Sequence, residues 1–277
     1  MTQKKFIDVE KIIGNKNPRL LKWLPGFLLR YIKRILHEKD INEFMAAHGH
    51  LRNLDFVHTT LNVFDTKIIT KGLENIPESG GFILAANHPL GGFDGLALIE
   101  AVSKKRQDIQ FLVNDILFSL GTLDDLFIPV NKHGSQTAVN RIESTYKSEN
   151  AILIFPAGLV SRKQEGKIMD LEWKKSFITK AIQHNKPIVP TYIDGKNSSF
   201  FYNLSLWRKR LGIKANIEMF YLVNEMYKQQ HKTITITFGK PIYPVAFDSA
   251  KSAREIAGMM KQQVYAIGEG KAGPFSI

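Results

Sequence analysis

The sequence predicts an α/β fold: a central, mostly parallel or mixed sheet flanked by helices and preceded by a helical N-terminal segment. Three observations carry this. From about residue 71, short apolar runs bounded by turn residues alternate with helical patterns, the signature of strands wrapped by helices. Residues 1–70 instead look mainly helical. No internal repeat or low-complexity tract interrupts the chain, so residues 71–277 are expected to form the α/β domain and residues 1–70 an amphipathic helical region.

The composition bounds the function. With 277 residues, 44% hydrophobic and 23% charged, the chain can bury a sizeable core. A net charge of +12 points to an anionic partner such as a bilayer surface, a phosphorylated substrate or nucleic acid. Cysteine is absent, which excludes disulfides, thiolate metal sites and thiol nucleophiles. The N-terminus has lysines but no apolar stretch before a cleavage site, so no secretory signal is expected. No window holds the roughly 18 uncharged apolar residues a spanning helix needs. His48 and His50 lack carboxylate company and read as solvated loop residues rather than metal ligands.

Along the chain, Pro18 suits a first helical turn, and Pro25-Gly26 breaks the segment that follows. From Phe27 to Leu36, helical spacing puts Phe27, Leu28, Tyr31, Ile32, Ile35 and Leu36 on one side. Lys22, Arg30, Lys33 and Arg34 supply the other. Two readings stand: a membrane-associating helix in the headgroup region, or a helix packed on the domain with its cations in water. Strands are expected in "GFILAAN", "IQFLV", "LFIPV", "AILIFP", "PIVPTYI" and "TITITFG". Helices are expected over residues 95–105, 135–148, 171–184 and 249–267.

Sites in such folds gather where strands end. After the first run comes "NHPLGGFDG", with His88 and Asp94 six positions apart. A histidine can act as a general base if a carboxylate on its other ring nitrogen fixes its tautomer. On a continuous helix the two would face opposite ways, so they meet only across a turn, which Gly91-Gly92 can supply. Alternatively Asp94 is the N-cap of a helix starting at Gly95. After the next strand, Lys132 could meet an anionic group, or be a solvated loop residue. In "FPAGLVSRK", the turn at Gly158 with Ser161, Arg162 and Lys163 suits phosphate or carboxylate binding. It is neither a nucleophile elbow nor a P-loop, because the spacings differ.

Four blocks in order resemble the glycerolipid acyltransferases, the family of bacterial lysophosphatidate acyltransferases. They are Asn87-His88 with Asp94, Pro129 to Lys132, Phe155 to Ser161, and Pro187-Ile188-Val189-Pro190. The resemblance covers about residues 71–195. It implies an enzyme in which His88, oriented by Asp94, takes the proton of an acceptor hydroxyl. The hydroxyl oxygen then attacks the thioester of an acyl carrier protein or coenzyme A. Backbone N–H groups or a basic side chain stabilise the oxyanion. The implied substrate-binding positions are Asn87, Gly91, Gly92, Lys132, Gly158, Ser161, Arg162 and Lys163. No cofactor or metal is implied beyond the thioester co-substrate, and nucleic acid is not expected. The implied place is the cytoplasmic face of the inner membrane, held peripherally.

The blocks depart from the family pattern at three points. The histidine-to-aspartate spacing is one residue longer, and Gly91-Gly92 can absorb the extra residue. Ala157 stands where the family has glutamate, and Val160 where it has arginine. Losing both makes lysophosphatidate a doubtful acceptor. "NHPLGGFDG", "FPAGLVSR" and the stretch Gly166 to Phe177 look like a hemolysin-like bacterial branch that includes ornithine- and glycine-lipid O-acyltransferases. Their acceptors carry a carboxylate that Arg162, Lys163 and Lys167 could neutralise. A last segment, "SSFFYNLSLWRKRLGIK", mixes aromatics with cations and reads as bilayer-interfacial, as a surface helix, or as a base-stacking surface. Two alternatives to the transferase remain: a non-catalytic basic protein binding anionic membrane or nucleic acid, and a lipid or thioester hydrolase.

Overall fold

A computed structural model describes residues 5–113, 121–130 and 136–275. Among these, helices α1 (Val9–Lys16), α2 (Pro18–Trp23), α3 (Gly26–Ile35), α4 (Glu38–His48) and α5 (Asn53–Val63) precede the first strand, β1 (Lys67–Lys71). Next come β2 (Phe82–Ala86), α6 (Gly92–Ser103), β3 (Ile109–Val113), β4 (Phe127–Pro129), α7 (Gln136–Lys147) and β5 (Ala151–Ile154). A small hairpin, β6 (Arg162–Gln164) and β7 (Lys167–Met169), leads to α8 (Ser176–Gln183) and β8 (Ile188–Asp194). The chain ends with α9 (Ser199–Arg210), α10 (Leu222–Tyr227), β9 (Thr233–Phe238) and α11 (Ala253–Gly268).

Among the described residues, seven strands form one sheet in the order β1-β9-β8-β2-β5-β3-β4. Every neighbouring pair is parallel except β8 and β9. The expected mostly parallel or mixed α/β sheet is thus what the chain builds. β2 sits mid-sheet and is buried on both faces, which is why it reads as an unbroken apolar run. Phe82, Leu84 and Ala86 face a layer containing α5 and α6, while Ile83 and Ala85 face α8 and α11. Alternation along one strand thereby assigns each layer of the fold.

Three elements differ from expectation. Residue 70, the expected boundary, falls inside β1, which pairs with β9 near the opposite end of the chain. Phe56, Val57 and Leu61 of α5 belong to the main core, so the helical region and the sheet share one interior. Lys67-Ile-Ile-Thr-Lys71 is a lysine-flanked edge strand, too short and polar to stand out from its sequence. The β6–β7 hairpin turns at Glu165 and Gly166, both at positive φ as a two-residue hairpin requires.

No described helix is long and apolar enough to cross a membrane. Helix α3 has no buried residue, and its Phe27 is exposed, as are Leu20 and Trp23 on α2.

Candidate active site

His88 lies just beyond the C-terminal end of β2, and Asp94 in the first turn of α6. Between them the chain reverses at Gly91, whose φ of 89° and ψ of −139° suit glycine and strain any other residue. Gly92 is already helical and exposed, with nothing near the place of a Cβ. The turn expected of the glycine pair therefore rests on Gly91. Helix α6 also starts three residues before Gly95, so Asp94 is not its N-cap. As the third helical residue, it reaches back over the turn.

That reach joins the pair. Asp94 Oδ2 accepts from Leu90 N–H at 2.8 Å and from Gly91 N–H at 3.1 Å. It also lies 2.9 Å from His88 Nδ1. With two backbone donors already aimed at this oxygen, the ring supplies the third proton, and the tautomer is Nδ1–H. Nε2 is then left as the basic edge. The imidazole stacks on Phe155 with centroids 4.1 Å apart, which fixes the ring plane.

Asp94 is wholly buried, and its Oδ1 has no hydrogen-bond partner. Burial pushes its carboxyl above the ordinary carboxylate range, against the pull of His88 and the two backbone bonds. A buried negative charge beside an imidazole favours the imidazolium formed when that ring takes a proton.

A second carboxylate, not singled out in the sequence, organises the site from below. Asp170 Oδ1 accepts from His88 N–H at 3.1 Å and from the Ser161 hydroxyl at 2.6 Å. Its Oδ2 accepts from Trp173 Nε1–H at 2.9 Å. Its own N–H donates to the Tyr265 hydroxyl on α11 at 2.7 Å. Ser161 N–H meanwhile donates to the His88 carbonyl at 2.7 Å. One buried aspartate thus ties together the loops after β2 and β5, the segment before α8, and α11. Asp170 and Trp173 stand in a visible pattern, Gly166 to Phe177, but the sequence does not show that their partners lie in other blocks.

The other expected positions divide. Asn87 is buried and uses both ends of its amide on the Ile193 backbone of β8. It joins β8 to the loop after β2 from a buried position. Ser161 is likewise buried and points at Asp170. Arg162 is buried too: it donates to the Val160 carbonyl, pairs with Glu218 at 3.1 Å and lies over Phe201. Glu218 also holds Arg208. Arg162 is therefore committed within the protein. Lys163 and Lys167 are exposed on the hairpin. Lys132 lies outside the described residues.

Gly158 turns at a φ of 64°, and a Cβ there would come within 2.8 Å of Lys174 Nζ. Lys174, which stands in the Gly166 to Phe177 stretch, is the cation set against the Phe155–Ser161 turn, and its N–H donates to the Pro156 carbonyl. Its place in that stretch is visible in the sequence, but its approach to Gly158 is not. Among the described residues no cluster of His, Asp and Glu could hold a metal ion.

The geometry is an imidazole held against a buried carboxylate at a strand end. A family model described as an acyltransferase matches residues 11–272. The chain belongs to this acyltransferase family. The acyltransferase is 44% identical over 263 residues to the lyso-glycine lipid O-acyltransferase of Phocaeicola vulgatus, covering 94% of each chain. It is 43% identical to the protein of the same name from Bacteroides thetaiotaomicron, covering 94% of this chain and 97% of that one. Its fold is similar to that of the 1-acyl-sn-glycerophosphate acyltransferase PlsC from Thermotoga maritima. There the TM-score is 0.51 at 17% identity, over 95% of this chain and 94% of the other.

Proposed function

We propose that this acyltransferase moves a fatty acyl group from an acyl thioester, on acyl carrier protein or coenzyme A, to the hydroxyl of a lyso-glycine lipid. The observation that carries this reading is the similarity, over 94% of the chain, to lyso-glycine lipid O-acyltransferases. The work takes place peripherally at the cytoplasmic face of the inner membrane, with the exposed aromatics beside α3 in the lipid interface.

His88 Nε2 takes the proton of the acceptor hydroxyl while that oxygen attacks the thioester carbonyl. The Asp94 carboxylate holds Nδ1–H and offsets the charge on the ring. As the tetrahedral intermediate collapses, the C–S bond breaks and the imidazolium returns its proton to the leaving thiolate. The products are an ester and a free thiol. His88 and Asp94 act without a covalent acyl-enzyme, in keeping with the absence of cysteine.

The acceptor carboxylate needs a cation. Arg162 is occupied by Glu218, and Lys174 beside Gly158 takes that role. The test supplies an acyl thioester with either lyso-glycine lipid or lysophosphatidate and identifies the ester formed. Lyso-glycine lipid is the preferred acceptor. Lys174→Ala raises its KM about three- to tenfold, a surface charge contact being modest. The same variant leaves the KM of the carboxamide analogue unchanged. Preference for lysophosphatidate would overturn the acceptor assignment, and an equal effect on both analogues would overturn the role of Lys174.

A further inference from the structure

Two stretches of this chain carry cations with no acid between them. One runs from Glu10 to Glu38, with Lys11, Lys16, Arg19, Lys22, Arg30, Lys33 and Arg34 inside it. The other runs from Asp194 to Glu218, with Lys196, Arg208, Lys209, Arg210 and Lys214. They are far apart in sequence, and the fold puts them side by side. Tyr221 makes the join: its hydroxyl lies 3.0 Å from that of Tyr31 on α3, and its ring packs edge-on against Phe200 of α9, 4.9 Å between centroids.

Helix α9 has two unlike faces. Phe201, Tyr202 and Arg208 point inward and are buried, with Arg208 paired to Glu218. Phe200, Leu204, Trp207 and Leu211, at spacings of four, three and four, form the outward stripe. Trp207 is 64% exposed and Leu211 69% exposed, and Phe220 beside them is exposed as well. The stripe lines an open groove of about 390 Å³. At the end of α2, Trp23 is 86% exposed. Large apolar side chains offered to water on cation-rich stretches mark a surface that meets something apolar and anionic.

We propose that the outward stripe of α9, with Phe220, is a second membrane anchor, continuous with α3, forming one docking plane for an anionic bilayer. The plane is tied to the chemistry. Asn197, two residues before α9, donates its amide to the carbonyl of Pro89, the residue after His88, at 3.1 Å. Ser198 caps α9 and donates to the buried Glu225. A bilayer that seats α9 therefore sits at a fixed place relative to the base. The proposal rests on the lipid-acceptor reading only for its purpose, because docking is measured without turnover.

Of the three tryptophans, Trp23 and Trp207 lie on the plane, while Trp173 is buried at 2% exposure. In a Trp23→Phe variant, the emission that responds to lipid therefore comes from Trp207. Adding vesicles of phosphatidylcholine and phosphatidylglycerol in equal parts shifts that emission to the blue, and brominated acyl chains quench it. Vesicles without phosphatidylglycerol give a weaker response. Trp207→Ser with Leu211→Ser lowers vesicle affinity at least about tenfold, since burying one such side chain is worth a factor of ten or more. The double variant keeps its melting temperature and its turnover of detergent-dispersed acceptor. His88→Ala binds vesicles like the wild type, so a failure of catalysis is distinguishable from a failure of docking. The proposal is overturned if brominated vesicles leave the Trp207 emission unchanged, or if the double variant binds as tightly as the wild type. Sedimentation as a dimer that shields Trp207 before lipid is added would overturn it as well, by making a second copy the occupant.

Discussion

Asp170→Ala should cost about 3–5 kcal/mol of folding stability, although Asp170 is outside the reacting pair. The substitution strands three donors at once: His88 N–H, the Ser161 hydroxyl and Trp173 Nε1–H. All three then lie in a region closed to water, where each unpaired polar group costs about 1–3 kcal/mol. It also frees the loop that carries His88. A misplacement of about 1 Å at a reacting group can cost about 10²-fold in rate. Asp170→Asn separates the roles. Its amide oxygen still accepts from His88 and Ser161, but its NH₂ faces Trp173, so stability and kcat recover in part. Denaturant unfolding of the three proteins, with kcat and KM measured separately, checks this. A positioning residue lowers kcat with little change in KM. Equal stability of the wild type and Asp170→Ala would refute the assignment.

The sequence displayed the fold and the site unevenly, for physical reasons. β2, β5 and β8 are covered on both sides, so their buried runs stand out against the turns around them. β1 and the β6–β7 hairpin hold three to five largely polar residues and pass for loop. His88 and Asp94 were legible because both belong to one local block. Arg162 looked free because its partner, Glu218, is 56 residues away. Asp170 is 82 residues from His88, and no local pattern states such a bond. Gly91 and Gly92 look alike in sequence, and only backbone angles assign the turn to Gly91.

Asp94→Asn should lower acyl transfer by about 10²–10⁴-fold while the fold survives. The amide oxygen can still accept from Leu90, Gly91 and His88, so the loop keeps its shape. What goes is the negative charge that favours the imidazolium. The same change has a pH signature. The folded-state pKa of Asp94 lies above its ordinary value because the group is buried. The folded protein therefore binds more protons than the unfolded chain as pH rises from the ordinary carboxylate value of about 3.9. Its stability falls through that window, and the penalty persists at neutral pH. Asn carries no such penalty. The melting temperature of Asp94→Asn relative to wild type should accordingly become more favourable as pH rises from acid to neutral. Thermal unfolding across that range reads the trend, and a difference that shrinks with rising pH would contradict it.

The proposed chemistry centres on His88 as the base for acyl transfer to a lipid hydroxyl. Its most direct test is the rate of ester formation from an acyl thioester and lyso-glycine lipid, read by mass spectrometry, for the wild type and for His88→Ala. The predicted result is a loss of about 10²–10⁴-fold in the variant, with melting temperature and vesicle binding unchanged. A well-folded His88→Ala protein that forms the ester at close to the wild-type rate would contradict it.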